Sequence, residues 1–132
     1  MRRTTTSLCL SLLLLLGSTR AFAGAPAIPS SPPLKAAEIV KLLDGHTFSF
    51  TAYDFPVTGT SVWNIQTKSV SGDYVFAGLK KGTYKIEWTI EGDKSCTKTP
   101  GKDRTCETIY KYGKGFMEVT EDGKVRAVST PK

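Results

Sequence analysis

Gly82-Thr83-Tyr84-Lys85-Ile86-Glu87-Trp88-Thr89-Ile90-Glu91 alternates apolar and polar residues without a break. Tyr84, Ile86, Trp88 and Ile90 share one face, and Thr83, Lys85, Glu87, Thr89 and Glu91 share the other. A strand with one dry and one wet side has this pattern, because successive side chains point to opposite sides. Just beyond it, Cys96 and Cys106 bracket Thr-Lys-Thr-Pro-Gly-Lys-Asp-Arg-Thr, with turn chemistry at Pro100-Gly101. Glu107-Thr108-Ile109-Tyr110-Lys111-Tyr112 then resumes β-type composition. The whole reads as a long hairpin with a disulfide across its neck.

The same short, tightly punctuated runs recur on either side. Thr47–Tyr53, Thr60–Ile65 and Ser69–Phe76 precede the central strand, with Asp54–Gly59 read as a turn and Gly72 as a bulge or point of close approach. Gly113-Lys114 and Asp122-Gly123 separate Phe116–Thr120 from Lys124–Ser129. Ala36, Ile39, Val40 and Leu43 recur at helical spacing ahead of all this, with Ser31 as N-cap, Pro32 and Pro33 in the first turn and Gly45 just past the end. Seven or eight strands with one helix predict an all-β fold: a small antiparallel barrel or curved meander sheet, with the helix over one end. Closure removes exposed strand edges, and the long crossovers of a parallel sheet are absent.

The first residues read as a targeting signal. Met1-Arg2-Arg3 is basic, Leu8–Leu16 is apolar but too short to span a membrane, and Ala21-Phe22-Ala23 fits a cleavage site. The predicted organisation is a signal peptide over 1–23, a flexible leader rich in Ala, Pro and Ser over 24–33, and one domain over 34–132. Arg2, Arg3 and Arg20 leave with the signal, which lowers the net charge from +6 to +3. That balance excludes a nucleic-acid partner, for which a broad basic stripe is expected. Two cysteines remain in an exported chain, and Cys96–Cys106 is the expected disulfide of a periplasmic or secreted monomer. Their spacing fits neither a Cys-x-x-Cys redox motif nor a zinc site, so neither a metal nor any other cofactor is expected.

Ala37-Glu38-Ile39 with Leu42-Leu43-Asp44-Gly45-His46-Thr47, followed by Gly82-Thr83-Tyr84, Cys96, Cys106 with Ile109-Tyr110, and Asp122-Gly123-Lys124, resembles a group of small exported proteobacterial proteins of unknown function. In these a helix ends in Leu-Leu-x-Gly-x-Thr and a disulfide-bearing β-domain follows. This chain departs from them in having Tyr84 where tryptophan often follows Gly-Thr, and in its basic cysteine loop. The resemblance implies a calycin-like barrel in the periplasm and supplies no activity or site residues.

Three groups of residues are candidates for function. Trp63, Tyr84, Trp88 and Tyr110 are candidates to line a small apolar pocket near the helix, although filling the barrel is the commoner task of such side chains. Lys98, Lys102 and Arg104 make the hairpin tip a candidate docking surface for a protein or an envelope component, with charge mainly speeding encounter. His46 with a neighbouring carboxylate is the alternative, a small hydrolase or isomerase. A helix-end histidine bonding backbone carbonyls is the plainer reading. Asp54, Asp73, Glu87, Glu107 and Glu118 lie on separate strands and turns, most of them expected on wet faces beside lysines. With no nucleophile elbow, phosphate loop or cofactor fingerprint, the expected function is a non-catalytic binding module for a small apolar ligand or an envelope partner.

Overall fold

The computed structural model describes residues 24–132. The expected signal peptide and its expected cleavage site, over 1–23, fall outside the described residues. One helix and eight strands follow in order: α1 Ala36–Leu43, β1 Thr47–Ala52, β2 Val57–Asn64, β3 Ser69–Phe76, β4 Lys80–Glu91, β5 Lys94–Lys98, β6 Thr105–Tyr112, β7 Gly115–Val119 and β8 Val125–Pro131. Each strand pairs antiparallel with the next, and β8 closes on β1, giving a closed eight-stranded barrel. No helix among the described residues is long and apolar enough to cross a membrane.

The helix begins later than its prolines suggest. Leu34 is held in an extended segment because its N–H donates to the Ile109 carbonyl at 2.7 Å, just beyond the start of the short β5. The first turn of α1 is secured from two sides. Glu38 accepts the Lys35 N–H at 3.2 Å, and Asp93 in the β4–β5 turn accepts that of Ala36 at 3.0 Å. Such partners satisfy N–H groups that the helix itself leaves open. At the other end Gly45 adopts φ of 74° and donates to the Trp63 carbonyl, so the chain passes directly from helix to β1.

α1 lies across the end of the barrel where β1 starts. Its Ile39 and Leu43 are fully buried with Phe48, Trp63, Val70, Trp88, Ile109 and Phe116. The aromatic members meet edge to face, with Trp63–Trp88 centroids 5.0 Å apart and Phe48–Phe116 centroids 4.9 Å apart. Such contacts align ring edges with ring faces and add to the area buried. The helix end of the barrel is therefore solid.

Two glycines set the curvature where the barrel is not solid. The expected turn at Asp54–Gly59 is shorter than predicted, and Gly59 lies inside β2, opposite Phe50. A Cβ there would sit 2.1 Å from the Asp73 carbonyl oxygen, and one on Gly72 would sit 1.9 Å from that of Thr60. No side chain fits either gap, so glycine here marks close backbone approach rather than a break. β3 keeps a constant register against β4 through Gly72, so no bulge occurs there.

Cys96 and Cys106 are directly opposite each other on β5 and β6 and form the disulfide. It closes a short loop, for which the chain-entropy estimate is roughly 3 kcal/mol. Replacing both cysteines with alanine is expected to lower unfolding stability by about that amount. Urea titration of the two forms checks it, and equal midpoints would show that the ladder alone holds the hairpin.

Candidate functional site

Away from the helix the barrel is hollow. A cavity of about 530 Å³ opens at the end where β1, β3, β5 and β7 finish. Its walls include Phe50, Val57, Trp63, Val70, Tyr74 and Tyr84. An eight-stranded barrel has an interior just wide enough either to be filled by side chains or to hold one small ligand. This chain does both, one half each. The opening is rimmed by apolar side chains exposed to water: Phe55 is 64% exposed, Phe76 43% and, in the neighbouring β3–β4 turn, Leu79 88%.

A polar cluster enters this apolar wall through Asp54, Glu118 and Arg126, with Glu107 buried beside Arg126 and outside the lining. Glu107 on β6 is 2% exposed, and one of its oxygens accepts a hydrogen bond from the Arg126 guanidinium. Arg126 also donates to the Thr105 hydroxyl at 3.3 Å and lies 3.7 Å from Asp54. Glu118 on β7 faces the same cavity, and its carboxyl has no ion-pair or hydrogen-bond partner among the described residues. Ser61, Thr97 and Ser129 add hydroxyls to the wall. Tyr84 donates its hydroxyl to the Thr60 carbonyl at 2.8 Å.

Strand periodicity explains the carboxylates, and a bulge explains the arginine. Glu107 is in phase with Ile109, and Glu118 with Phe116, both of which are core residues. The two glutamates therefore face inward, not toward solvent beside lysines as expected. Arg126 is out of phase with the inward Ala127 and Ser129. Glu118 pairs with Ala127 and Val119 with Val125, which leaves Arg126 as an extra, unpaired residue on β8. A bulge of this kind bends the strand and re-aims a side chain. Here it brings the guanidinium over Glu107.

The cluster perturbs its own titration. Burial, above all, pushes the Glu118 carboxyl from the usual 4.5 up to about 7, with Glu107 and Asp54 adding to the rise and Arg126 opposing it. Burial works against the Arg126 charge, yet Glu118, Glu107 and Asp54 outweigh it and hold the guanidinium above its ordinary range. Tyr84 is also raised, by burial and then by Glu118 and Asp73.

For a carboxyl whose folded value lies above its unfolded one, the associated stability is complete below the unfolded value and is lost as pH rises through the folded one. Stability is thus expected to fall between about pH 4.5 and 7 by roughly 2–3 kcal/mol on account of Glu118. Glu118→Gln should remove most of that fall. Chemical denaturation of both proteins across this range is the check, and parallel pH profiles would count against an ionisable Glu118 in a dry site.

The other candidate residues separate cleanly. Trp63 and Tyr84 line the cavity, whereas Trp88 and Tyr110 do not. Trp88 is fully buried in the helix-end core, and Tyr110 is out of phase with the inward Ile109. The cavity lies opposite the helix rather than near it. Of the basic hairpin residues, Lys102 joins the cavity lining, while Arg104 pairs with Glu91 at 2.9 Å and Lys98 is exposed. His46 lies at the helix end, its Nδ1 3.0 Å from the Leu42 carbonyl. Its neighbour Asp44 accepts the Ile65 N–H at 2.9 Å, so both side chains have backbone partners at the helix end. Glu91 lies close to Cys96 and Cys106, but the disulfide occupies both sulfurs.

Comparison of the chain with protein-family models, with curated proteins and with solved structures finds no match. The disulfide suits an oxidising compartment.

Proposed function

We propose that this protein is a non-catalytic binding module of the periplasm or the secreted fraction, and that it holds a small amphiphilic ligand in the open half of its barrel. The observation that carries this reading is the cavity. At about 530 Å³ it falls within the roughly 300–1,000 Å³ typical of small-molecule sites. It also combines aromatic and aliphatic walls with a few convergent polar groups, the usual division between affinity and orientation. The exposed Phe55, Phe76 and Leu79 at the rim support the same reading, because they offer an apolar ligand a wetted path inward. The basic loop at Lys98, Lys102 and Arg104 belongs to this mouth through Lys102 and serves in the reading as part of the entrance.

Titration with the neutral fluorescent probe N-phenyl-1-naphthylamine tests the proposal. Saturable binding of one probe per chain is expected. Ala52→Trp places a large side chain among the lining residues and should abolish it while the protein stays folded by circular dichroism. Absence of saturable binding to the unmodified protein, or undiminished binding to the filled variant, overturns the reading.

A further inference from the structure

The cavity wall carries two carboxyl groups, Asp54 and Glu118, and two cations, Lys102 and Arg126, but their pairing is uneven. Arg126 on β8 is hydrogen-bonded to Glu107 and Thr105 and lies against Asp54 of the β1–β2 turn. Its pairing capacity is directed to those groups. Among the described residues Glu118 on β7 is left on the cavity wall without a hydrogen-bond or ion-pair partner, and the far oxygen of Glu107, which lies outside the lining, is buried with none. The group opposite Glu118 on β4, Tyr84, directs its hydroxyl away to the Thr60 carbonyl. Lys102 lies in the β5–β6 loop at the lip of the wall and makes no ion pair among the described residues. A carboxylate facing an apolar space favours a ligand that brings the missing positive charge and N–H donors, since charge-assisted hydrogen bonds are the strong ones in a dry site.

From this geometry we infer that the cavity takes amphiphiles with a protonated amine head, which pairs with Glu118 while the apolar tail lies along Phe50, Val57, Tyr74 and Tyr84. The inference rests on the binding reading above and specifies its ligand class. Anionic amphiphiles of equal length are disfavoured at Glu118, because their head meets that carboxylate while Arg126 is already engaged by Glu107 and Asp54. The proton on Glu118 competes with the amine. Its carboxyl titrates near 7 under the combined influence of burial, Arg126, Glu107 and Asp54. Amine binding therefore strengthens as pH rises through that range and releases the proton.

The test uses decylamine, decanol and decyl sulfate, each displacing N-phenyl-1-naphthylamine from the full domain below its aggregation concentration. At about pH 8 decylamine should bind about tenfold or more tighter than either of the others, and this margin should shrink at about pH 5. Glu118→Gln should bring amine and alcohol to within about twofold of each other while alcohol binding persists. Glu118→Met repeats the measurement if the glutamine variant fails to fold. Decyl sulfate or decanol binding as tightly as decylamine, or an amine preference that survives in both variants, overturns the inference and leaves the binding reading standing. Binding of none of the probes overturns both.

Discussion

Trp88→Ala should cost about 3–5 kcal/mol of unfolding stability, the range for truncating a large buried aromatic. The side chain is fully buried, meets Trp63 edge to face at 5.0 Å, and donates its Nε1–H to the Ser95 hydroxyl at 2.9 Å. Truncation removes all three at once. It opens a void beneath α1 and leaves a buried hydroxyl without its donor, which adds a desolvation cost. Because small domains have only about 5–15 kcal/mol in total, the loss is a large share of the whole. Trp88→Phe separates the contributions, since it keeps most of the ring packing and loses the hydrogen bond. It should cost about 1–3 kcal/mol. Thermal and urea unfolding of the three proteins decide the matter. A Trp88→Ala domain with an unchanged midpoint would mean that the helix end is not the barrel's structural core.

The strand that best announces the fold also shows how far alternation can be read. Tyr84, Ile86, Trp88 and Ile90 lie on one face, as their spacing requires, but that single face serves two purposes. Trp88 falls in the packed half of the barrel and Tyr84 in the hollow half. Periodicity assigns a side chain to the inside; it carries no information on height along the barrel axis, which depends on register with seven other strands. Gly59 departs from its expected turn for a related reason. Glycine beside proline and aspartate signals a turn locally, whereas here it is required by the Asp73 carbonyl of the neighbouring strand. The same applies to the helix start, where the Ile109 carbonyl on β6 accepts the Leu34 N–H and holds that residue beside the barrel.

The site was half legible. Glu107 and Glu118 share the phase of Ile109 and Phe116, so alternation alone carries their inward direction, against the outward preference of their charge. Arg126 left no such signal. Its phase in β8 directs it outward, and only the one-residue shift between the Glu118–Ala127 and Val119–Val125 pairs brings it over Glu107. A bulge is a property of two strands together, and Asp122-Gly123 fixes the turn without fixing which residue beyond it is extra.

That bulge makes Arg126→Met the most informative change on the cavity wall. Glu107 is 2% exposed, one oxygen is bound to Arg126, and the other has no partner. Removing the guanidinium leaves a buried carboxylate uncompensated, for which a loss of about 3–5 kcal/mol is expected near neutral pH. Arg126 itself is partly open to solvent, with 32% of its side chain exposed, so water screens some of the remaining charge and favours the lower half of that range. The loss should shrink at low pH, where carboxylates take up protons and the variant confines less unanswered negative charge. Glu107→Leu in the same chain should restore much of the stability, because replacing both partners of a buried pair by apolar groups is often near neutral. A double-mutant cycle at about pH 7 and about pH 4 measures this coupling directly. Additive losses at both pH values would show that the two side chains act independently and that the bulge does not exist to pair them. Strong coupling that fades with acid would instead identify the Arg126–Glu107 pair as the fixed framework around which Glu118 remains free to meet a ligand.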